Sequence, residues 1–200
     1  AVQQIALDAL DALSHVHGRG LLHRDLKPAN LVRGRDRTAL VDFGIAVALD
    51  EETWDPDAMV TGTLRYMAPE QLRNVPQDAR TDLFSLGLVL YVCLTGSLPT
   101  GRATGGELVR ARVRDPSPPV QSRCDVPIPM GLASAIDRAI SLRMEQRHAS
   151  AGEMAASIRG NDRMPSPAAL GTAAPVDHSL EDDATERSEA PVVLEDWETR

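Results

Sequence analysis

His23-Arg24-Asp25-Leu26-Lys27-Pro28-Ala29-Asn30 is followed, twelve residues after Asn30, by Asp42-Phe43-Gly44. Around these strings the chain divides into short elements. Upstream, Val2, Ile5, Ala9, Ala12, Leu13 and Val16 recur at helical spacing over residues 2–17, and Gly18 and Gly20 stop the helix. Downstream, Leu31-Val32 and Ala39-Leu40-Val41 read as two short strands around the polar turn Arg33–Arg37. That hairpin, residues 31–41, presents Asn30 and Asp42 from its two ends. Taken singly, Asp25 is one more solvated loop aspartate and Asn30 a turn asparagine bonded to its own backbone. A carboxylate, an ammonium and an amide within six residues, with a second carboxylate brought back by a hairpin, make a stronger pattern.

A third string, Gly62-Thr63-Leu64-Arg65-Tyr66-Met67-Ala68-Pro69-Glu70, follows in order. The three together resemble the catalytic loop, the metal-binding loop and the end of the activation segment of eukaryotic-type serine/threonine protein kinases, the type also found in bacteria. The resemblance implies an enzyme that moves the γ-phosphate of ATP, with Mg2+, to serine or threonine hydroxyls of protein substrates. It assigns Asp25 to the incoming hydroxyl, Lys27 to the transferred phosphate, and Asn30 and Asp42 to the metal. Thr63 resembles the threonine that bridges Asp25 and Lys27, and Val32 the floor under adenine. Arg24, just before Asp25, implies regulation by activation-loop phosphorylation, with Thr53 and Thr61 as acceptors. One departure weakens that pocket: the second basic residue often found three positions after the Gly of Asp-Phe-Gly is here Val47. His23 and Phe43 are expected to pack rather than react. Glu70 and Arg147 resemble the ion pair that fastens the activation segment to the lower helices, and Asp82 the acid that holds the catalytic-loop backbone.

The resemblance covers one lobe. These residues hold no glycine-rich strand-turn-strand, and Lys27, the sole lysine, is already used by the motif. The expected fold is therefore mostly α: a protein-kinase C-lobe with a small β-hairpin, its N-lobe absent, and inactive alone. Leu83–Leu94, the most apolar stretch, is expected as the buried central helix, over about residues 81–94. Leu108–Val113, Ala133–Leu142 and Ser150–Ile158 complete a helical domain over residues 1–160. A second reading, a pseudokinase-like C-lobe that binds proteins through its helical surface, has less use for Asp25, Lys27, Asn30 and Asp42 together.

Composition bounds the rest. Hydrophobic residues make up 42% of the 200 and aromatic residues only 3%, enough for one core. The net charge is −8, and residues 161–200 hold ten Asp and Glu against three Arg, a net of −7. An acidic chain without a basic patch argues against nucleic acid as a partner. Cys93 and Cys124 lack metal spacing and are expected as reduced thiols. No apolar run reaches the ~18 residues of a membrane span, so the sequence reads as cytoplasmic. Residues 45–61 suit a mobile surface loop. Residues 161–200, rich in Pro, Ala and acids, read as a disordered tail or linker, within which Pro191–Trp197 is a possible protein-docking motif.

Overall fold

The computed structural model describes residues 1–42 and 64–160. Phe43, Thr53, Thr61, Thr63, the loop 45–61 and the segments 161–200 and 191–197 lie outside the described residues.

Among the described residues, six α-helices and one hairpin follow in the order α1 (Val2–His17), β1 (Leu31–Arg33), β2 (Thr38–Leu40), α2 (Pro69–Leu72), α3 (Ala79–Thr95), α4 (Gly105–Arg114), α5 (Met130–Ala139) and α6 (Ala151–Gly160). Helix α3 is the axle. Asp78 caps its start by accepting the Arg80 N–H, and Gly96, at φ 72°, ends it in the left-handed conformation that glycine adopts at least cost. Every residue from Thr81 to Tyr91 is buried, so the helix has no wet face and its core position follows directly from its apolar sequence. Helices α1 and α5 pack against it and α6 packs on both of them, in one hydrophobic core. Gly87 permits a close approach to the end of α5, since a Cβ there would lie 2.8 Å from Ile140 Cγ2 and 3.0 Å from Ala139 Cβ.

Helix α1 buries Ile5, Ala6, Ala9, Leu10, Leu13 and Val16. The buried stripe is wider than the sequence spacing indicated, taking in Ala6 and Leu10 because α1 touches both α3 and α6. Of the two glycines after it, Gly20 at φ 72° turns the chain, whereas Gly18 is right-handed.

The hairpin is antiparallel with Leu31 opposite Leu40, Val32 opposite Ala39 and Arg33 opposite Thr38. Both strands differ from expectation by one residue toward the turn, where the Gly34 N–H donates to Arg37 O at 2.9 Å. The ladder is anchored on α1, because Asp8 accepts the Thr38 N–H at 2.8 Å. Helix α5 starts three residues before the expected Ala133, directly after Pro129, and ends at Ala139. No helix among the described residues is long and apolar enough to cross a membrane. Cys93 and Cys124 are free thiols, and burial pushes the Cys93 thiol up to about 11.

Candidate active site

The loop between α1 and β1 carries the site. Its backbone is held in a costly shape: Arg24 has φ 64° and, past the hairpin, Asp42 has φ 53°. Each such residue costs on the order of 1–3 kcal/mol unless its surroundings over-determine it. At Arg24 they do. Buried Asp82, on α3, accepts the N–H groups of His23 and Arg24, each at 2.8 Å. Its Oδ2 also lies 2.8 Å from His17 Nε2. From the other side Gln71 donates its amide to Arg24 O at 2.8 Å, while its Oε1 accepts the Ala68 N–H at 2.9 Å. Helices α1, α2 and α3 thus converge on one strained residue next to Asp25.

Within the loop the side chains meet. Lys27 Nζ donates to Asp25 Oδ2 at 2.8 Å, and both side chains remain about a quarter exposed. The Asn30 amide, buried by a turn of 3-10 helix that starts at Pro28, donates to Asp25 O at 2.7 Å and reaches Asp42 O at 3.5 Å. Val41 donates its N–H to Asn30 O at 3.0 Å, closing the open end of the hairpin. Asp25, Lys27, Asn30 and Asp42 therefore share one end of the lobe. His23 is fully buried, its Nε2 3.2 Å from Val41 O. Val32 is 49% exposed on β1.

The donor set bears on which cation it could hold. The Asn30 amide nitrogen is committed to Asp25 O, and no hydrogen bond in the described residues goes to its Oδ1. With the Asp42 carboxylate this makes an all-oxygen pair, which fits a hard cation such as Mg2+ and not a thiophilic one. Among the described residues no three His, Cys, Asp or Glu side chains gather into a site that could hold a metal by themselves.

Away from the loop, Arg147 makes a bidentate pair with Glu70 at 2.7 and 2.9 Å, both residues buried. Thr81 Oγ1 adds a donor to Glu70 Oε1 at 2.8 Å, and Arg147 also lies 4.5 Å over the Phe84 ring. The pair ties the segment at Glu70 to the start of α6.

Sequence reading had missed Gln71, His17 and Thr81. Gln71 carried a signal, being the third residue of a helix that starts at Pro69, the place where a side-chain amide folds back on the residue that caps the helix. His17 and Thr81 carried none, because their partners lie 65 and 11 residues away.

A family model of the protein kinase domain matches residues 1–150. The serine/threonine-protein kinase PknH of Mycobacterium bovis is 39% identical over 155 residues, which are 77% of this chain and 25% of PknH. PknB of Mycobacterium leprae is 37% identical over 158 residues, 78% of this chain and 25% of PknB. The crystal structure of the Mycobacterium tuberculosis PknI kinase domain is similar with a TM-score of 0.57 and 27% identity, covering 80% of this chain and 54% of that one. The chain thus spans about a quarter of the length of these curated relatives, and within that quarter it carries the paired Asp25 and Lys27. With residues 1–150 matched and more than a third of the aligned positions identical to named serine/threonine kinases, this chain belongs to the protein kinase domain family.

Proposed function

We propose that residues 1–160 form the C-lobe of a serine/threonine protein kinase, which phosphorylates protein hydroxyls from Mg-ATP when an N-lobe completes the domain. The observation that supports this reading most is the Asp25–Lys27 contact at 2.8 Å beside the Asn30 amide. Asp25 is placed to orient a hydroxyl and take its proton. Lys27, held by Asp25, brings a positive charge to where the transferred phosphate would pass. Asn30 and Asp42 would hold Mg2+, which neutralises phosphate charge when bound. Thr63 would bridge Asp25 and Lys27, and Val32 would lie under the adenine. Arg24, exposed beside Asp25, offers its guanidinium to a phosphorylated Thr53 or Thr61. Asp82, His23, Phe43, Glu70 and Arg147 serve the scaffold. Residues 1–200 alone would be inactive.

The test is a fusion of residues 1–200 to the N-lobe of a bacterial serine/threonine kinase. The fusion is expected to phosphorylate serine or threonine, and Asp25→Asn to lower turnover by ~10²–10⁴-fold with the fold intact. Asp42→Asn removes a charged ligand instead, so raised Mg2+ partly restores it and does nothing for Asp25→Asn. Near-normal turnover of Asp25→Asn would show the assignment to be wrong.

A further inference from the structure

On the side of the lobe marked by the Glu70–Arg147 pair lies a cleft of about 430 Å³ between α2, the end of α4 and the loop after α5. Its apolar lining is Val75, Val113, Leu142 and Met144, and its cations are Arg73 and Arg143. Val75 is 43% exposed, a β-branched apolar side chain presented to water beside two exposed arginines. Two acids also line it, but they do not balance the arginines equally. Both oxygens of Glu70 are taken by Arg147, which is buried behind it. Glu145 alone then stands against Arg73 and Arg143, leaving a net positive rim around an apolar floor. The volume falls in the ~300–1,000 Å³ range of clefts that enclose small ligands, enough for a few side chains and too little for a helix.

One segment of this chain has the complementary pattern. Pro191-Val192-Val193-Leu194-Glu195-Asp196-Trp197 sets three aliphatic residues directly before two carboxylates and an indole. It lies in a stretch with a net charge of −7, whereas the rest of the chain is nearly neutral. The 30 residues between Gly160 and Pro191 can span up to ~100 Å, against a radius of gyration of about 15 Å for a lobe of this size. Chain length therefore does not prevent the segment from reaching any face of the lobe.

We propose that this cleft is the docking site for the chain's own segment 191–197. Val192–Leu194 would cover Val75, Val113, Leu142 and Met144, while Glu195 and Asp196 face Arg73 and Arg143. Burial of the aliphatic side chains and pairing of the two carboxylates with the arginines together supply the affinity, and the charges also set the register and the salt dependence.

The indole makes the proposal measurable, since Trp54 and Trp197 are the only tryptophans. In the full chain with Trp54→Phe, emission reports Trp197 alone, and its quenching by acrylamide is compared with that of a synthetic peptide of residues 189–200. The docked segment is expected to be quenched several-fold more slowly than the peptide, independently of protein concentration and less so in high salt. Glu195→Arg with Asp196→Arg is expected to restore peptide-like quenching. These tail changes leave the helical lobe untouched, so the outcome stands even if Arg73→Glu with Arg143→Glu disturbs the Arg73–Val113 O hydrogen bond. Where that second double variant folds, it too is expected to free Trp197, and combining the two is expected to recover the protection. Peptide-like quenching in the Trp54→Phe chain overturns the proposal, as does protection that survives reversal of the tail charges. Protection that disappears on dilution overturns it in favour of contact between two copies.

Discussion

Arg147 and Arg112 flank the same ring, Phe84, at 4.5 and 5.6 Å, and both are almost wholly buried. Their surroundings give them opposite signs in the energetics. Arg147 meets the carboxylate of Glu70 and the carbonyls of Ser141, Leu142 and Arg80, so each nitrogen of the guanidinium is used. Arg112 donates only from Nη2, to Arg65 O at 2.9 Å, while Nε and Nη1 have no partner among the described residues. Burial without a counter-charge pushes the Arg112 guanidinium down to about 10. Replacing Arg147 by Met leaves Glu70 charged and buried with only the Thr81 hydroxyl, and is expected to cost about 3–5 kcal/mol. Arg112→Met removes an uncompensated charge of similar length and shape. It loses one hydrogen bond and relieves a larger desolvation penalty, so it is expected to stabilise by about 1 kcal/mol. Urea unfolding of the two variants checks both signs. A loss of stability in Arg112→Met would mean that its bond to Arg65 O matters more than the buried charge.

At the scale of elements, the contact between α3 and α5 turns on a missing side chain. Alanine at Gly87 would gain up to ~1 kcal/mol of helix propensity, offset by contact with Ile140 and Ala139. Valine adds two methyl groups to a space that a single Cβ already fills, and Gly87→Val is expected to cost about 1–3 kcal/mol, read as a fall in thermal midpoint. This close approach was not legible in the sequence, where Gly87 is one small residue in an apolar run. The run itself was legible, because a helix apolar on all sides has nowhere to go but the centre. The stripe of α1 was legible in part: periodicity marked the face but not its width, which depends on how many neighbours the helix has. The site divides in the same way. Asp25, Lys27 and Asn30 are local in sequence, and the hairpin that returns Asp42 follows from two short apolar runs and a polar turn. The left-handed backbone at Arg24 has no residue signature, because it is held there by groups distant in sequence. Asp82 reaches His23 and Arg24 across 59 and 58 residues, and Gln71 reaches Arg24 across 47.

At the scale of the whole molecule, the proposed nucleotide site would have one surface among the described residues and no second surface there to close over it. An adenine resting on Val32 would be covered on one side by a half-exposed side chain. The phosphates would meet Lys27, which is already paired with Asp25, and no second lysine exists in the 200 residues. Losing one desolvated, charge-assisted hydrogen bond costs roughly 1.5–3 kcal/mol, which is about ten- to a hundredfold in affinity. The missing apolar cover adds to that loss. Residues 1–200 are therefore expected to bind Mg-ATP at least that much more weakly than the same residues fused to an N-lobe, in side-by-side calorimetry. Asp42→Asn is expected to weaken binding in the fusion, where the metal links the phosphates to the lobe, and to change little in the isolated chain, where there is little binding to lose. Equal affinity of the isolated chain and the fusion would mean that the lobe holds nucleotide by contacts other than Val32, Lys27 and the Asn30–Asp42 pair.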